Sequence, residues 1–252
     1  MYFTWLDSNS WLIELGEKRI LVDPWLVGPL TFGRSAWLFK SDRPHPRPIP
    51  DHLDLILLSQ GLPDHAHQPT LKQLDRHIPV IASINGANVV NQLGYTQVTP
   101  LTHGQSVEFS HRLHIQAVPG SLVGPNTIEN GYILRDQLTQ DSVYYEPHGF
   151  HSSSLKQMDP VTVVITPVVN LVLPFGITPI QGYHSGLEIA QWLKPQFILP
   201  TAAGGDVEMT GLAMTLVRAV GGAAELQTVL RANHLPTLVL EPKPGERFQL
   251  PY

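Results

Sequence analysis

Short apolar β candidates run through this chain in two rounds of one order: a β-rich stretch, then a stretch where strands alternate with helices. That order restricts the possible folds more than any other feature. The N-terminal residues hold "YFTWL", "SWLIELG" and "RILVDPW", three candidates separated by the turn signals "DSNS" and "GEK". Residues 54–60, "DLILLSQ", are a nearly continuous apolar run, the pattern of a strand buried on both faces. "QPTLKQLDRH" predicts a helix with Leu71 and Leu74 on one face and Pro69 near its start. "PVIAS" and "NGANVVNQLG" predict a strand and then a helix closed by Gly94.

The second round opens with "QVTPL", "SVEFS", "LHIQAVP", "NGYILR" and "SVYYEP" as strands. A short helix near residues 153–158, the strand "TVVITPV", the helix "SGLEIAQWLK" and the strand "QFILP" follow. "GLAMTLVRAVG" and "AELQTVLRAN" predict two more helices, and "TLVLE" and "RFQLP" the last strands. No Gly/Ser-rich linker and no internal period divides the chain, so residues 1–252 are expected to form one domain. Two mixed halves with helices flanking sheets predict an α/β fold, a four-layer αββα sandwich.

Composition narrows the function classes. With 252 residues, 42% of them hydrophobic, the chain can bury a sizeable core. A charged fraction of 15% argues against disorder or a coiled coil. The net charge of −5 and the lack of any long Lys/Arg run predict no nucleic-acid partner. The N-terminus has no basic segment leading into an apolar one. No apolar run reaches the roughly 18–20 residues that cross a bilayer. The expectation is a cytoplasmic protein without a membrane partner. There are no cysteines, which excludes disulfides, thiolate metal sites and a cysteine nucleophile. A metal would have to sit on His, Asp or Glu. The 12 histidines prompt a search for such a site, although surface or loop positions are expected for most of them.

Two segments concentrate these donors. "LLSQGLPDHAH" brings Asp64, His65 and His67 together after a strand, and "VYYEPHG" brings Glu146 and His148 after another. Together with "NSWLIELGEKRILVDPWLVG", which contains Asp23, and "LKPQFILPTAAGG", they resemble the landmarks of the metallo-β-lactamase fold superfamily, in its branch of metal-dependent hydrolases. "DHAH", "PGSLVGP" and "YYEPH" look still closer to a cyanobacterial and chloroplast subgroup with altered ligand motifs. The likeness spans essentially the whole chain and implies an αββα sandwich of the metallo-β-lactamase type.

In that family two zinc ions hold a hydroxide that attacks an ester, amide or phosphate bond. Here Gln60 and Leu62 stand where the resemblance places the first two histidines, and Gly120, Ser121 and Gly124 where it places the third. The first metal site thus loses its imidazoles. The second keeps Asp64 and His65, while Glu146-Pro147-His148 replaces the bridging Asp and the last histidine falls near Thr201 or Ala202. The resemblance therefore implies at most one ion, Zn, Fe or Mn, on Asp64, His65, Glu146 and His148, with His67 a further donor if the loop turns back. The same residues also read as a metal-free polar cluster. In that reading Asp64 caps the helix that follows, and His65 and His148 bond to Asp64 and Glu146.

Two functions from different classes follow. In one, the ion activates water on a small ester, lactone or phosphoester, with Asp64, His65 and His148 catalytic, or a histidine acts as general base without metal. In the other, the fold is non-catalytic and binds a small-molecule ligand or a partner. Lesser signals are a capping box at Ser185 and Glu188 beside His184, and an aromatic segment, "VGPLTFGRSAWLFK", that suits a lid, a dimer contact or a satellite core. The "GSLVG" motif lacks the following helix of a nucleophile elbow, so Ser121 is set aside as a nucleophile.

Overall fold

The N-terminal alternation folds as its pattern predicts, into the antiparallel strands Tyr2–Trp5, Trp11–Leu15 and Lys18–Val22. The computed structural model describes residues 1–32, 36–124 and 127–251, arranged as two compact units. The first comprises Met1–Thr102, Gly204–Leu216 and Lys243–Tyr252; the second comprises His103–Ala203 and Val217–Pro242.

In the first unit a seven-stranded sheet runs in the order Arg247–Gln249, Tyr2–Trp5, Trp11–Leu15, Lys18–Val22, Leu55–Leu58, Val80–Ala82, Val98–Pro100. The last three join in parallel, which requires crossover connections. Helices α1 (Gln68–Leu71) and α2 (Ile84–Gln92) lie in those crossovers. All four residues of Leu55–Leu58 are buried, as the unbroken apolar run predicts. Leu21, Ile56, Leu58 and Val80 from the sheet meet Leu71, Ala87 and Val90 from the helices. Each of the Leu, Ile and Val side chains contributes about 1.5–3 kcal/mol by leaving water. Trp5 and Trp11 stack cross-strand with ring centroids 6.0 Å apart.

The helix expected from residue 68 onward stops after one turn. Asp75 Oδ1 accepts the His77 N–H at 2.9 Å, a local side-chain turn that competes with helix continuation. The second helix is capped by Ser83 and ends before Gly94, whose φ of 85° suits glycine. A small sheet of Leu30–Thr31, Lys40–Asp42 and Glu208–Thr210 completes the unit. Gly33, Arg34 and Ser35 of the aromatic segment lie outside the described residues. Within the rest of it Leu30 is buried, Phe32 and Phe39 pack at 5.4 Å, and Trp37 is 69% exposed.

The second unit has its own seven-stranded sheet: Leu238–Val239, Phe197–Leu199, Val163–Ile165, Ser142–Tyr145, Ile128–Asp136, Leu113–Leu122, Ser106–Glu108. Helices α3 (Tyr183–Leu193) and α4 (Ala223–Ala232) cover one face, burying Ile189, Leu193, Leu226 and Leu230 against Ile133, Tyr144 and Val164. The expected capping box at Ser185 does not form. Asn170 Oδ1 takes the Tyr183 N–H at 2.9 Å, so the helix starts two residues earlier and the Ser185 hydroxyl donates back to Gln181 O.

The helix expected over "GLAMTLVRAVG" is absent too. Leu212–Leu216 forms a 3-10 turn whose Leu212 and Ala213 N–H groups reach the Trp37 and Leu38 carbonyls at 3.0 and 2.9 Å. Arg218–Gly221 instead pairs with Val169–Val172 as a strand. Backbone partners distant in sequence outweigh local helix propensity here. Among the described residues no helix is long and apolar enough to cross a membrane.

Candidate functional site

In the second unit the strand register assembles an acidic pair beside an imidazole. Tyr132 pairs with Tyr145 and Ile133 with Tyr144, so the same antiparallel register carried outward sets Glu129 across from residue 148. His148 Nδ1 indeed lies 2.7 Å from Glu129 Oε1. Glu146 leaves the end of its strand with the side chain fully buried. Its Oε2 accepts the backbone N–H groups of His148 at 3.2 Å and Phe150 at 3.1 Å, and that of Gly149 between them. Gly149 has a φ of 81°, and a Cβ there would stand 2.1 Å from Gln181 O, so only glycine lets the loop wrap the carboxylate. Gly120 serves the other acid: a Cβ on it would press to 3.0 Å from Glu129 Cγ.

Among the described residues no N–H group donates to Glu146 Oε1, and the Glu129 carboxyl lies beside it. Burial and the neighbouring Glu129 push Glu146 well above the usual carboxylate range, although three backbone donors pull the other way. One ligand atom from each of Glu129, Glu146 and His148 lies within 4.8 Å of the others. Two hard oxygen donors and an imidazole around an oxygen without a donor fit one Zn, Fe or Mn ion. A cation would also remove the repulsion between the paired acids. Nearby, the His151 side chain is fully buried, its Nδ1 3.1 Å from the Tyr144 hydroxyl, and burial lowers its pKa to about 3.

In the first unit Asp64 and His65 belong to a different arrangement. The fully buried His65 ring has Nδ1 2.7 Å from Asp23 Oδ2 and Nε2 3.1 Å from Asp64 Oδ2. Ser59 reinforces Asp23, its N–H reaching Oδ1 at 2.8 Å and its hydroxyl Oδ2 at 2.5 Å. Burial opposes a charge on His65, but the Asp64 and Asp23 carboxylates outweigh it and hold the pKa well above that of ordinary histidine. Each ring nitrogen of His65 thus faces a carboxylate oxygen. Asp64 does not cap α1, where His67 is the boundary residue and makes no side-chain cap.

His67 is core rather than rim. Its Nδ1 is 3.0 Å from Thr70 Oγ1, and its ring stands edge-on to Trp25. Burial lowers its pKa to about 4. The unfolded chain takes up this proton near pH 6.5 and the fold refuses it until about pH 4. Stability contributed at neutral pH is therefore lost as pH falls through that window. Urea unfolding at pH 7 and pH 5 is expected to show His67→Asn losing on the order of 1–2 kcal/mol less than the parent chain.

The structure gathers Glu146 with His148 in the second unit and Asp64 with His65 in the first. Gln60 is fully buried and Leu62 is 40% exposed. Thr201 is buried and brings no imidazole. Ser121 continues a strand, and its N–H points to Glu129 Oε1 at 3.3 Å. Pro125 and Asn126 of the same glycine-containing loop lie outside the described residues. Sequence reasoning passed over Glu129. Its signal was an acid heading an apolar strand, "IENGYILR", whose pairing with "VYYEP" counts back to it. Asp23 stands in a family-like segment of the sequence, and only the fold makes it the partner of His65.

Known proteins agree with this arrangement at the level of fold and family. The chain is 39% identical over 84 residues to the cytidine monophosphate-N-acetylneuraminic acid hydroxylase of Cricetulus griseus. That match covers 31% of this chain and 14% of the relative's length. Among solved structures, an isothiocyanate hydrolase from Delia radicum gut bacteria superposes with a TM-score of 0.75 at 16% identity, covering 99% of both chains. A metallo hydrolase from the archaeon Ignicoccus hospitalis superposes with a TM-score of 0.70 at 15% identity, again over 99% of both. Those likenesses show the α/β sandwich fold of the metallo-β-lactamase type. The family model for the β-lactamase superfamily domain matches residues 2–202, and this chain belongs to that superfamily.

Proposed function

We propose that this protein is a metal-dependent hydrolase that works with a single ion held by Glu129, Glu146 and His148. The observation that carries the reading is the convergence of these three ligand atoms within 4.8 Å. Zinc, iron or manganese bound there would supply a water of lowered pKa and an electrophile for the oxygen of a small ester, lactone or phosphoester. The chain's own groups orient the set. Three backbone N–H groups hold Glu146 Oε2 and leave Oε1 for the ion. An ionised Glu129 only accepts, so His148 donates from Nδ1 and a neutral ring keeps its lone pair on Nε2. His65, clasped by Asp23 and Asp64, is read as a positioning residue that fixes Asp64.

A second reading has its own support. A Glu146 kept protonated beside Glu129 satisfies the acidic pair without a cation, which suits a non-catalytic ligand-binding protein. Elemental analysis of protein purified without chelator or added metal separates the two. The hydrolase reading expects about one zinc, iron or manganese ion per chain, lowered at least tenfold in His148→Ala. Esters, lactones and phosphoesters then form the substrate panel. Cytidine monophosphate-N-acetylneuraminic acid joins it because of the partial likeness to a hydroxylase so named. A chain that neither carries metal nor takes it up on titration ends the hydrolase reading.

A further inference from the structure

A cleft of about 460 Å³ opens in the second unit beside residues 149–151. Phe150 and Leu187 give it apolar wall, and His151, His184, Glu188 and Gln191 give it polar groups. His184, Glu188 and Gln191 follow one another at i, i+4 and i+7 on α3, so they lie on one helix face.

The neighbouring hydrogen bonds settle the His184 tautomer. Asn170 Oδ1 accepts the Tyr183 N–H, so its amide nitrogen is the donor to His184 Nδ1 at 2.9 Å. The His184 proton is then on Nε2, which is a donor. The Glu188 side chain makes no ion pair or hydrogen bond among the described residues, and no Lys or Arg lines the cleft. An anion entering would meet a bare carboxylate and no cation. His151 adds a second unsatisfied group: its side chain is fully buried and its Nε2 has no hydrogen-bond partner among the described residues. Apolar walls with a few polar groups of differing type are the makings of a small-molecule site.

We propose that this cleft binds a small molecule carrying a protonated amine beside a hydroxyl or carbonyl oxygen on a short apolar frame. Glu188 takes the amine, His184 Nε2–H donates to the oxygen, and Phe150 and Leu187 cover the frame. The inference does not depend on a metal at Glu129, Glu146 and His148.

Phenylethanolamine and mandelate test it as a matched pair, equal in frame and hydroxyl but opposite in charge. Backbone amide NMR titration of the full chain is expected to show saturable shifts at Phe150, His184 and Glu188 with phenylethanolamine and at least about tenfold weaker binding of mandelate. Glu188→Gln, an exposed change that leaves the spectrum of the fold intact, is expected to weaken phenylethanolamine at least about tenfold. The proposal is overturned by the absence of saturable shifts at these residues, by mandelate binding as tightly, or by unchanged affinity in Glu188→Gln.

Discussion

Replacing Asp7 with alanine is expected to destabilise the protein by about 3–5 kcal/mol, read as a lowered urea midpoint at unchanged slope. Asp7 is fully buried in the first unit. Its Oδ2 receives Arg43 Nε at 2.9 Å and Arg47 Nε at 2.8 Å. Its Oδ1 receives Arg47 Nη2 at 3.0 Å and the Asp206 N–H at 2.8 Å. Arg43 is 3% exposed, lies 4.0 Å over the Trp25 ring, and has one guanidinium nitrogen without a partner among the described residues. Removing Asp7 strands that guanidinium in the interior as an uncompensated charge, where the penalty lies.

The carboxylate also ties the residue 204–216 segment to the N-terminal strand, since Asp206 is bonded to it by both backbone and Arg47. Burial raises the Asp7 pKa, but the Arg47 hydrogen bond, the Asp206 N–H and the two guanidinium charges together bring it below the ordinary value. Its stabilisation is therefore present at neutral pH and lost as pH falls through the folded-state pKa. Adding Arg43→Met to Asp7→Ala is expected to recover part of the loss. No recovery, or a loss under about 1 kcal/mol for the single change, refutes the stranded-charge account.

The second large effect is expected from Glu129→Gln. If Glu129 ligates an ion, the substitution lowers metal affinity at least about a hundredfold, since even indirect partners of ligands cost 10–100-fold. If the cluster is metal-free, the same change removes the charge that, after burial, pushes the Glu146 pKa up. The fold then becomes more stable at neutral pH, because an acid whose pKa the fold raises costs stability there and a smaller rise costs less. The two readings thus predict opposite signs, and thermal unfolding with and without added zinc distinguishes them. In the first, zinc raises the melting temperature of the parent chain and not of the variant. In the second, zinc moves neither and the variant melts higher.

Strands were the most legible part of this chain because a strand's signature is local. The alternation around residues 2–22 and the unbroken run at Leu55–Leu58 each report burial on one or both faces. Helices were less legible where their competitors were remote. Arg218–Gly221 became a strand because Val169–Val172 offered it a ladder, and α3 began early because Asn170 capped it. Neither partner is near in sequence.

Residue types alone determined that this protein belongs among mixed α/β folds and that any metal must rest on oxygen and imidazole donors. Tertiary structure alone decided how the surviving donors are spent. It committed both nitrogens of His65 to carboxylates, turned His67 into the core, and set Glu129 opposite His148. The reason is physical. A side chain's chemistry is written in its own position, but its protonation and its availability as a ligand depend on charges and donors that only folding brings within a few ångströms.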